Sequence, residues 1–229
     1  MSQKYYAKLP KSMQNEAVYK YCDILTKKKY TFFLKRFFDI IISFLALFVL
    51  AIPFAFISIW IILDSKGSAF FVQRRVGKYN KDFGIIKFRT MVSNASELGG
   101  TLTSGDNDNR ITKAGRFLRK FRIDELPQLI NVLIGQMSII GPRPEVRRFV
   151  DVYTDEQTAT LIVRPGISCS SSVAFANEGE ILEKSSNPDD TYIAEILPDK
   201  AQMNLDYIST LSLKNDLKII FNTIKEVLR

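Results

Sequence analysis

The stretch IIISFLALFVLAIPFAFISIWIIL, from Ile40 to Leu63, carries no charged residue over 24 positions. A helix of about 20 apolar residues is long enough to cross the hydrocarbon core of a bilayer. The stretch therefore predicts a membrane helix rather than a buried helix of a soluble core. A cleaved signal peptide fits poorly, because the run is long, begins late in the chain and lacks a small-residue cleavage site after it.

Basic residues flank this apolar stretch on both sides. Residues 1–36 hold nine Lys and Arg against two Asp and Glu, and residues 64–125 hold 13 against seven. Because Lys- and Arg-rich flanks stay in the cytoplasm, both ends favour the same side of the membrane. Pro53, near the middle, removes a helix hydrogen bond and favours a kink. These features favour a re-entrant hairpin, and a kinked spanning helix is the alternative.

The basic flanks also indicate which partners the chain has. A polybasic run beside a membrane segment attracts anionic lipid headgroups, at about 1 kcal/mol per residue near the surface. Nucleic acid is the usual rival partner of a basic protein, but the sequence has no zinc finger, RNP-like aromatic motif or recognisable helix-turn-helix. We therefore expect anionic membrane lipids, and no nucleic acid, as partners.

The rest of the chain predicts an α+β, mostly helical fold. Residues 69–76 and 83–90 alternate apolar and polar side chains around a Gly77–Asn80 turn, which predicts two short strands. Residues 93–110 are rich in Gly, Ser, Asn and Asp and predict a loop, whereas helical spacing resumes at Thr112. The remainder of the chain predicts four further segments: a helix over 145–160, a turn at 164–168, an acidic polar stretch over 171–193, and amphipathic helices over 198–229.

Three regions follow from these patterns. Residues 1–36 form a basic, loosely ordered or amphipathic lead-in, residues 37–65 the re-entrant membrane helix, and residues 66–229 a small cytoplasmic domain. The basic stretch after Thr112 places Phe117 and Phe121 at helical spacing, which is typical of an amphipathic helix on a membrane surface.

The composition restricts the chemistry. The chain has 32 Lys and Arg, 24 Asp and Glu, two cysteines far apart and no histidine. A Ser-His-Asp triad, a Cys-His pair, an HExxH zinc site and a CxxC redox pair are therefore all excluded. An enzyme of this composition must use carboxylates, Lys, Arg, hydroxyls or a hard metal ion.

The adjacent carboxylates Asp124 and Glu125 are the main candidates for such chemistry. They follow four basic residues, Arg116, Arg119, Lys120 and Arg122. Neighbouring positive charge is expected to lower a carboxylate pKa. An ionised carboxylate can attack phosphorus or bind Mg²⁺, and guanidinium groups suit phosphate oxygens. Taken alone, this pattern is more often that of a solvated salt-bridge surface.

Longer motifs are more specific. KFRTM (87–91), RIDELPQLINVLIGQMS (122–138), GPRPE (141–145) and RPGIS (164–168) follow the apolar stretch in this order. In these residues the chain, from about Lys35 to Arg229, resembles the bacterial sugar transferases, which are monotopic polyprenyl-phosphate phosphoglycosyl transferases. The resemblance implies a re-entrant membrane helix and a catalytic domain on the cytoplasmic face of the bacterial inner membrane.

The resemblance also implies a reaction. Sugar 1-phosphate passes from a UDP-sugar to undecaprenyl phosphate, UMP is released, and the product starts a membrane glycoconjugate such as a capsule, exopolysaccharide, O-antigen or glycoprotein glycan. In this reaction Asp124 forms a covalent phosphosugar, Glu125 assists Mg²⁺ binding and acceptor activation, and both are expected metal ligands. The implied substrate-binding residues are Lys87, Arg89, Arg119, Pro142, Arg143 and Pro144. A homodimer is left open.

The chain departs from many family members at two places. Ile52 precedes Pro53 where related chains often have Ser, and CSSSVAFANEGE follows RPGIS where many continue TGWAQV. The second difference prevents assignment of the donor sugar. A catalytically silent membrane scaffold that recruits glycan-assembly proteins is the alternative function.

Overall fold

A computed structural model describes residues 2–95 and 108–227. The N-terminal part contains helices α1 (Ser2–Tyr6), α2 (Glu16–Thr26) and α3 (Lys29–Asp64), then strands β1 (Phe70–Val76) and β2 (Asp82–Phe88). The middle contains α4 (Lys113–Lys120), α5 (Gln128–Leu133) and β3 (Ser138–Ile140), then α6 (Arg147–Val150) and α7 (Asp155–Thr158). The remainder contains β4 (Gly166–Ser168), α8 (Ser170–Ala174), α9 (Glu178–Glu183), α10 (Pro188–Thr191), α11 (Leu197–Ser209) and α12 (Leu213–Val227).

Helix α3 contains the apolar stretch and is the one described helix long and apolar enough to cross a membrane. It has 36 residues, begins at Lys29 and continues through Pro53. Its middle is exposed, with Phe48 at 78% and Ile52 at 70% of full accessibility. Such exposure does not fit the core helix of a soluble protein, because burial of apolar area is the main favourable term in folding. The helix is confirmed, and its hairpin path through a membrane stays a prediction.

Both ends of α3 contact the rest of the protein. Near the start, Arg36 donates to the carbonyl oxygens of Val132 (2.7 Å) and Leu133 (3.0 Å). Near the end, the Asp64 carboxylate accepts a hydrogen bond from the backbone N–H of Ala114, in α4, at 2.9 Å. The exposed apolar surface of α3 is therefore bounded at each end by contacts with the same folded domain.

The N-terminal residues are folded more firmly than a lead-in. Leu9, Met13, Val18 and Cys22 are buried in the largest hydrophobic cluster, together with Ile208 and other residues of the C-terminal half. Of the two predicted forms, loosely ordered or amphipathic, the structure has the second, as two helices and a turn packed into the core. Amphipathic spacing without a visible partner does not reveal that a helix packs against residues 150 positions later.

The sheets are small. Strands β1 and β2 pair antiparallel, from Phe70 opposite Phe88 to Val76 opposite Asp82, which confirms the predicted pair of strands. Strands β3 and β4 pair in parallel, so the segment predicted only as a turn at 164–168 contributes a short strand. Mostly helical α+β architecture is thus confirmed.

Two further predictions differ in detail. The helix predicted over 145–160 is divided into α6 and α7, because Thr154 caps a new helix start through the backbone N–H of Gln157. The polar stretch over 171–193 contains α8, α9 and α10, and its residues Leu182 and Tyr192 are buried against Phe149. Most of the loop predicted over 93–110 lies outside the described residues.

Candidate active site

The Asp124–Glu125 pair lies in a single turn of 3₁₀ helix, Ile123–Glu125, between α4 and α5. Arg122, immediately before it, adopts a left-handed conformation with φ 52°. A bulky residue in this region is strained, and such strain clusters at functional sites. Pro127 directly precedes α5, where its missing N–H costs the helix nothing.

Glu125 is buried between two cations from different parts of the chain. Its Oε1 accepts hydrogen bonds from Lys87 Nζ at 2.9 Å and from Arg143 Nη2 at 2.7 Å. Lys87 comes from β2, and Arg143 from the GPRPE loop after β3. Three of the predicted site residues are thereby brought into direct contact.

Asn131 fixes the geometry of this contact. Its Oδ1 accepts from the backbone N–H of Ile86, and its Nδ2 donates to the carbonyl oxygen of Gly84. These bonds attach α5, which follows the dyad, to β2, which carries Lys87. The sequence signal for Asn131 was a polar residue inside the otherwise apolar LPQLINVL run, and sequence reasoning did not select it.

The electrostatics of Glu125 follow from its partners. Burial acts to raise the pKa of Glu125, but the charges of Arg143 and Lys87 overcome this and hold the pKa well below its usual range. The same Glu125 charge raises the pKa of Arg143 above its usual value. Burial lowers the pKa of Lys87, although Glu125 opposes the shift. Glu125 and Arg143 are therefore a charged pair at any ordinary pH.

Asp124 behaves differently from the expectation of a lowered pKa. Burial and the neighbouring Glu125 charge raise the pKa of Asp124 to about 6, against weaker opposing effects of Lys87, Arg119 and Arg143. Within residues 2–95 and 108–227, no side chain donates a hydrogen bond to its carboxylate. Proximity in sequence to arginines misled the prediction, because the nearest cations are bound to Glu125. Asp124 is nevertheless mostly ionised at neutral pH.

The two remaining predicted cations lie in different places. Arg119 donates through Nε to the hydroxyl of Thr90 at 2.9 Å, and its charge acts on Asp124. Arg89 is buried, and its guanidinium donates to the carbonyl oxygens of Lys66, Ser65 and Ile61. Those carbonyls form the C-terminal end of α3, where a cation is favourable. The contacts of Arg89 thus join α3 to the strand that carries Lys87.

Pro142 and Pro144 shape the loop that carries Arg143. The carbonyl oxygen of Pro142 accepts from the N–H of Gly166, and that of Pro144 accepts from Arg75. Gly141 lies against the backbone of this same segment, so that an added Cβ would approach Arg164 O to 2.6 Å. The loop is therefore held by backbone contacts on both sides of Arg143.

A buried polar chain behind this loop was missed by sequence reasoning. Glu145 is buried, accepts from Tyr192 at 2.8 Å and lies 3.8 Å from Arg75. Tyr192 also accepts from Lys200, which is paired with Glu178. These residues connect the divergent segment after RPGIS to the loop of Arg143, and no short motif announced them.

Two carboxylates of the site are available as ligands for the expected Mg²⁺. In the described part of the chain no group of three or more His, Cys, Asp or Glu side chains converges. Mg²⁺ is commonly bound through one or two carboxylates plus substrate phosphates, and Asp124 with Oε2 of Glu125 supplies that number. The residues fit a magnesium ion that is held jointly with a phosphate-bearing substrate.

Comparison with known proteins gives a consistent family. The family model described as bacterial sugar transferase matches residues 30–229. A UDP-N-acetylgalactosamine-undecaprenyl-phosphate N-acetylgalactosaminephosphotransferase of Aeromonas hydrophila is 41% identical over 199 residues, which are 86% of this chain and 44% of that protein.

Two other relatives carry different sugars in their names. The undecaprenyl-phosphate galactose phosphotransferase of Salmonella typhimurium is 35% identical over 216 residues, 88% of this chain and 42% of its own. The UDP-glucose:undecaprenyl-phosphate glucose-1-phosphate transferase of Caulobacter vibrioides is 35% identical over 198 residues, 85% of this chain and 69% of its own. The chain thus spans less than half of the first two relatives and about two thirds of the third.

Proposed function

Since the chain belongs to the bacterial sugar transferase family, we propose that it transfers sugar 1-phosphate from a UDP-sugar to undecaprenyl phosphate and so starts a membrane glycan. The observation that carries the proposal is the division of roles in the dyad. Glu125 is bound by Lys87 and Arg143, whereas Asp124 beside it accepts no hydrogen bond from the described residues. A free, ionised carboxylate next to bound cations suits attack on a phosphate.

In the first step, a carboxylate oxygen of Asp124 attacks the phosphorus that bears the sugar. A new oxygen–phosphorus bond forms, and the bond to the bridging oxygen of the diphosphate breaks. UMP leaves with that electron pair, and the sugar phosphate remains on Asp124. The attack needs no base, because Asp124 with a pKa of about 6 is already ionised at neutral pH.

In the second step, a phosphate oxygen of undecaprenyl phosphate attacks the same phosphorus. The bond to Asp124 breaks, and the carboxylate is regenerated. Lys87 and Arg143 provide fixed positive charge for the phosphoryl oxygens in both steps. A carboxylate with a pKa as low as that of Glu125 is a poor proton acceptor, so Glu125 acts by holding these two cations and a metal ligand oxygen in place.

Mg²⁺, when bound by Asp124, Glu125 and the donor diphosphate, would neutralise charge on the leaving UMP. Arg143 and Lys87 hold the pKa of Glu125 well below its usual range, so its carboxylate would be available to Mg²⁺ in the ionised form across the physiological pH range.

We propose further that α3 enters and leaves the membrane on the cytoplasmic face. Support comes from the contacts of Arg36 and Asp64 near its two ends, from Pro53 between them, and from the basic flanks. Single cysteines at the exposed positions Lys11 and Lys66 can be tested with a membrane-impermeant thiol reagent in intact and inverted vesicles. Labelling of both only in inverted vesicles is expected, and labelling from opposite sides would exclude the hairpin.

The transfer proposal is tested with membranes, Mg²⁺, undecaprenyl phosphate and a panel of UDP-sugars. UMP release is expected with one or a few donors, and a donor labelled in the sugar-bearing phosphate should leave radiolabel on the protein before acceptor is added. Asp124→Asn should abolish both signals, whereas Asp151→Asn, at an exposed aspartate, should retain them. If no donor gives UMP, the result would favour the scaffold function. Normal turnover by Asp124→Asn would exclude Asp124 as the nucleophile.

A further inference from the structure

A second group of cations lies away from the dyad, where α3 meets the folded domain. They line an open cleft together with Asp39 and apolar residues. The four basic residues of the cleft are Lys35, Arg36, Lys78 and Arg164. The first two belong to α3, the third to the turn of the β1–β2 hairpin, and the fourth to the segment before β4.

One of the cations that meet here is neutralised, and the one carboxylate is held by hydrogen bonds. Lys35 pairs with Asp216 at 2.6 Å. Asp39, the one carboxylate that lines the cleft, accepts from Ser138 Oγ at 2.7 Å and from the N–H of Ile139 at 3.1 Å. The Asp39 carboxylate is therefore fixed by donors of β3, and the three cations other than Lys35 still outnumber it.

The other cations are not matched in this way. Arg36 and Arg164 donate to backbone carbonyls at the end of α5, Arg164 through Nε to Gly135 at 2.8 Å. In the described part of the chain, no carboxylate forms an ion pair with Arg36, Arg164 or Lys78. Burial and then the half-buried guanidinium of Arg164 lower the pKa of Arg36, against a weaker opposing effect of the Asp39 charge. Like charges held together in a cleft favour an anion between them.

The backbone that presents Lys78 is strained. Tyr79 and Asn80, which follow it, both adopt left-handed conformations with φ of 62° and 58°. The turn is held by Arg147, which donates to Oδ1 and to the carbonyl oxygen of Asn80, and by contact of Tyr5 with Tyr79. Two strained residues persist only where surrounding contacts determine them, and here they fix the position of Lys78.

The cleft lies at the level where the membrane stretch begins. Arg36 is one helical turn before Ile40, the start of the uncharged run. Large apolar side chains are exposed beside it, with Phe33 at 67% and Ile134 at 61% accessibility. A charged group at this level meets the headgroup region of a bilayer. The dyad lies at the opposite end of α5, one helix of six residues away.

We propose that this cleft binds the phosphate group of an anionic membrane lipid, through Lys78, Arg164 and Arg36. Guanidinium and ammonium donors suit phosphate oxygens, and the exposed apolar residues at the cleft accommodate the acyl chains. The bound headgroup fixes the start of α3 against the domain. The rival interpretation is that Arg36 and Arg164 only cap the C-terminal end of α5, a role in which Lys78 has no part.

The test measures thermal unfolding of the detergent-solubilised full chain during titration with a short-chain phosphatidylglycerol. Short-chain phosphatidylcholine and inorganic phosphate serve as separate arms, because the first lacks net charge and the second lacks acyl chains. A ligand that binds only the folded state raises Tm as its concentration rises. We expect phosphatidylglycerol to raise Tm, and the other two to have little effect at the same concentrations.

Variants locate the site. Lys78→Gln and Arg164→Gln should each require roughly tenfold more phosphatidylglycerol for the same shift, which is the loss of about one charge-assisted hydrogen bond. Lys81→Gln removes an exposed lysine from the same hairpin turn and should respond as the unmodified chain does. If Arg164→Gln fails to fold, Lys78→Gln decides, since Lys78 donates no hydrogen bond to α5.

Three results would overturn the proposal. One is the absence of a Tm shift with phosphatidylglycerol. Another is an equal Tm response of the Lys78→Gln and Lys81→Gln variants to this lipid. The third is an equal shift with inorganic phosphate that Lys78→Gln weakens, which would assign the cleft to a free anion. None of these results depends on sugar transfer, so failure here leaves the proposed reaction separately testable.

Discussion

The middle of α3 exposes apolar side chains, whereas the dyad site buries charged ones. Both differ from the usual arrangement of a soluble protein, in which apolar side chains are buried and charged ones are exposed. Along α3, phenylalanine and isoleucine side chains such as Phe48 and Ile52 are exposed. At the dyad, Lys87, Glu125 and Arg143 form a charge cluster shielded from water. The first arrangement is favourable where lipid replaces water. The second is favourable only because the charges are paired, and it prepares positive charge for a phosphate substrate.

The two regions differ in how well they tolerate substitution. Exposed apolar residues of α3 tolerate exchange among themselves, because lipid has no fixed shape. The dyad cluster tolerates little, because each charge compensates another at hydrogen-bond distance. Substitutions that add a charge to the first region, or remove one from the second, should therefore be the most damaging changes in each.

Removal of the Glu125 charge is expected to have the largest effect. Glu125→Gln leaves Lys87 and Arg143 together without their counter-charge, and breaking a buried pair in this way costs about 3–5 kcal/mol. Thermal or denaturant unfolding should show that loss, and UMP release should fall by at least about a hundredfold. Asp151→Asn, which removes an exposed carboxylate paired with Arg147 at 3.7 Å, should cost less than about 1 kcal/mol. Similar losses of unfolding free energy in Glu125→Gln and Asp151→Asn would contradict the pairing of Glu125 with Lys87 and Arg143.

Addition of a charge to α3 comes next. Phe48→Lys places an ammonium in the middle of the apolar stretch, at a cost of about 2.5–3.5 kcal/mol for insertion of a charge at the centre of a membrane helix. The fraction of protein recovered in sedimented membranes should fall. Phe33→Lys, beside the basic flank, should be tolerated because its ammonium reaches the interface. Equal recovery of the two variants would mean that residue 48 does not reach the hydrocarbon.

The Asp124 charge should cost stability as well as provide reactivity. Its pKa is raised from 3.8 to about 6, so the folded state is destabilised by the ionised form above pH 6, and this penalty disappears as the pH falls below 3.8. At pH 7–8 the free energy of unfolding of Asp124→Asn should therefore exceed that of the unmodified chain by about 1–3 kcal/mol. Thermal unfolding should show this as a higher Tm. The gain should vanish near pH 4, and a loss of stability at pH 8 would contradict the raised pKa.

The smallest expected effect is a shift in pH dependence. In the proposed reaction Asp124 attacks as the ionised carboxylate, so kcat/KM should fall about tenfold per pH unit below an apparent pKa of about 6. Lys87 lowers that pKa, so Lys87→Gln should move the acid limb to higher pH in addition to its loss of rate. The pH profile separates the two contributions, because a purely structural role of Lys87 would reduce the rate at all pH values equally. Lys81→Gln is the matched control.

Much of the molecule follows from local pattern. Alternation around Gly77–Asn80 correctly predicted the β1–β2 hairpin, and the uncharged run predicted α3. Motif reading also selected Lys87, Glu125 and Arg143, which the fold brings into contact. The packing of the N-terminal helices into the core and the strand at Gly166–Ser168 were not foreseen, because each depends on a partner distant in sequence rather than on its own periodicity.

The sequence by itself determined that a long apolar helix lies between basic flanks and that any chemistry must proceed without histidine, since both are matters of composition and order. Only the tertiary structure decided that Glu125 receives the two nearest cations, and that Asp124 therefore has a raised pKa. The physical reason is that burial and the direction of a hydrogen bond depend on three-dimensional distance. Adjacent residues in one turn can consequently have opposite electrostatics, and cations 40 or more positions apart along the chain can share one cleft.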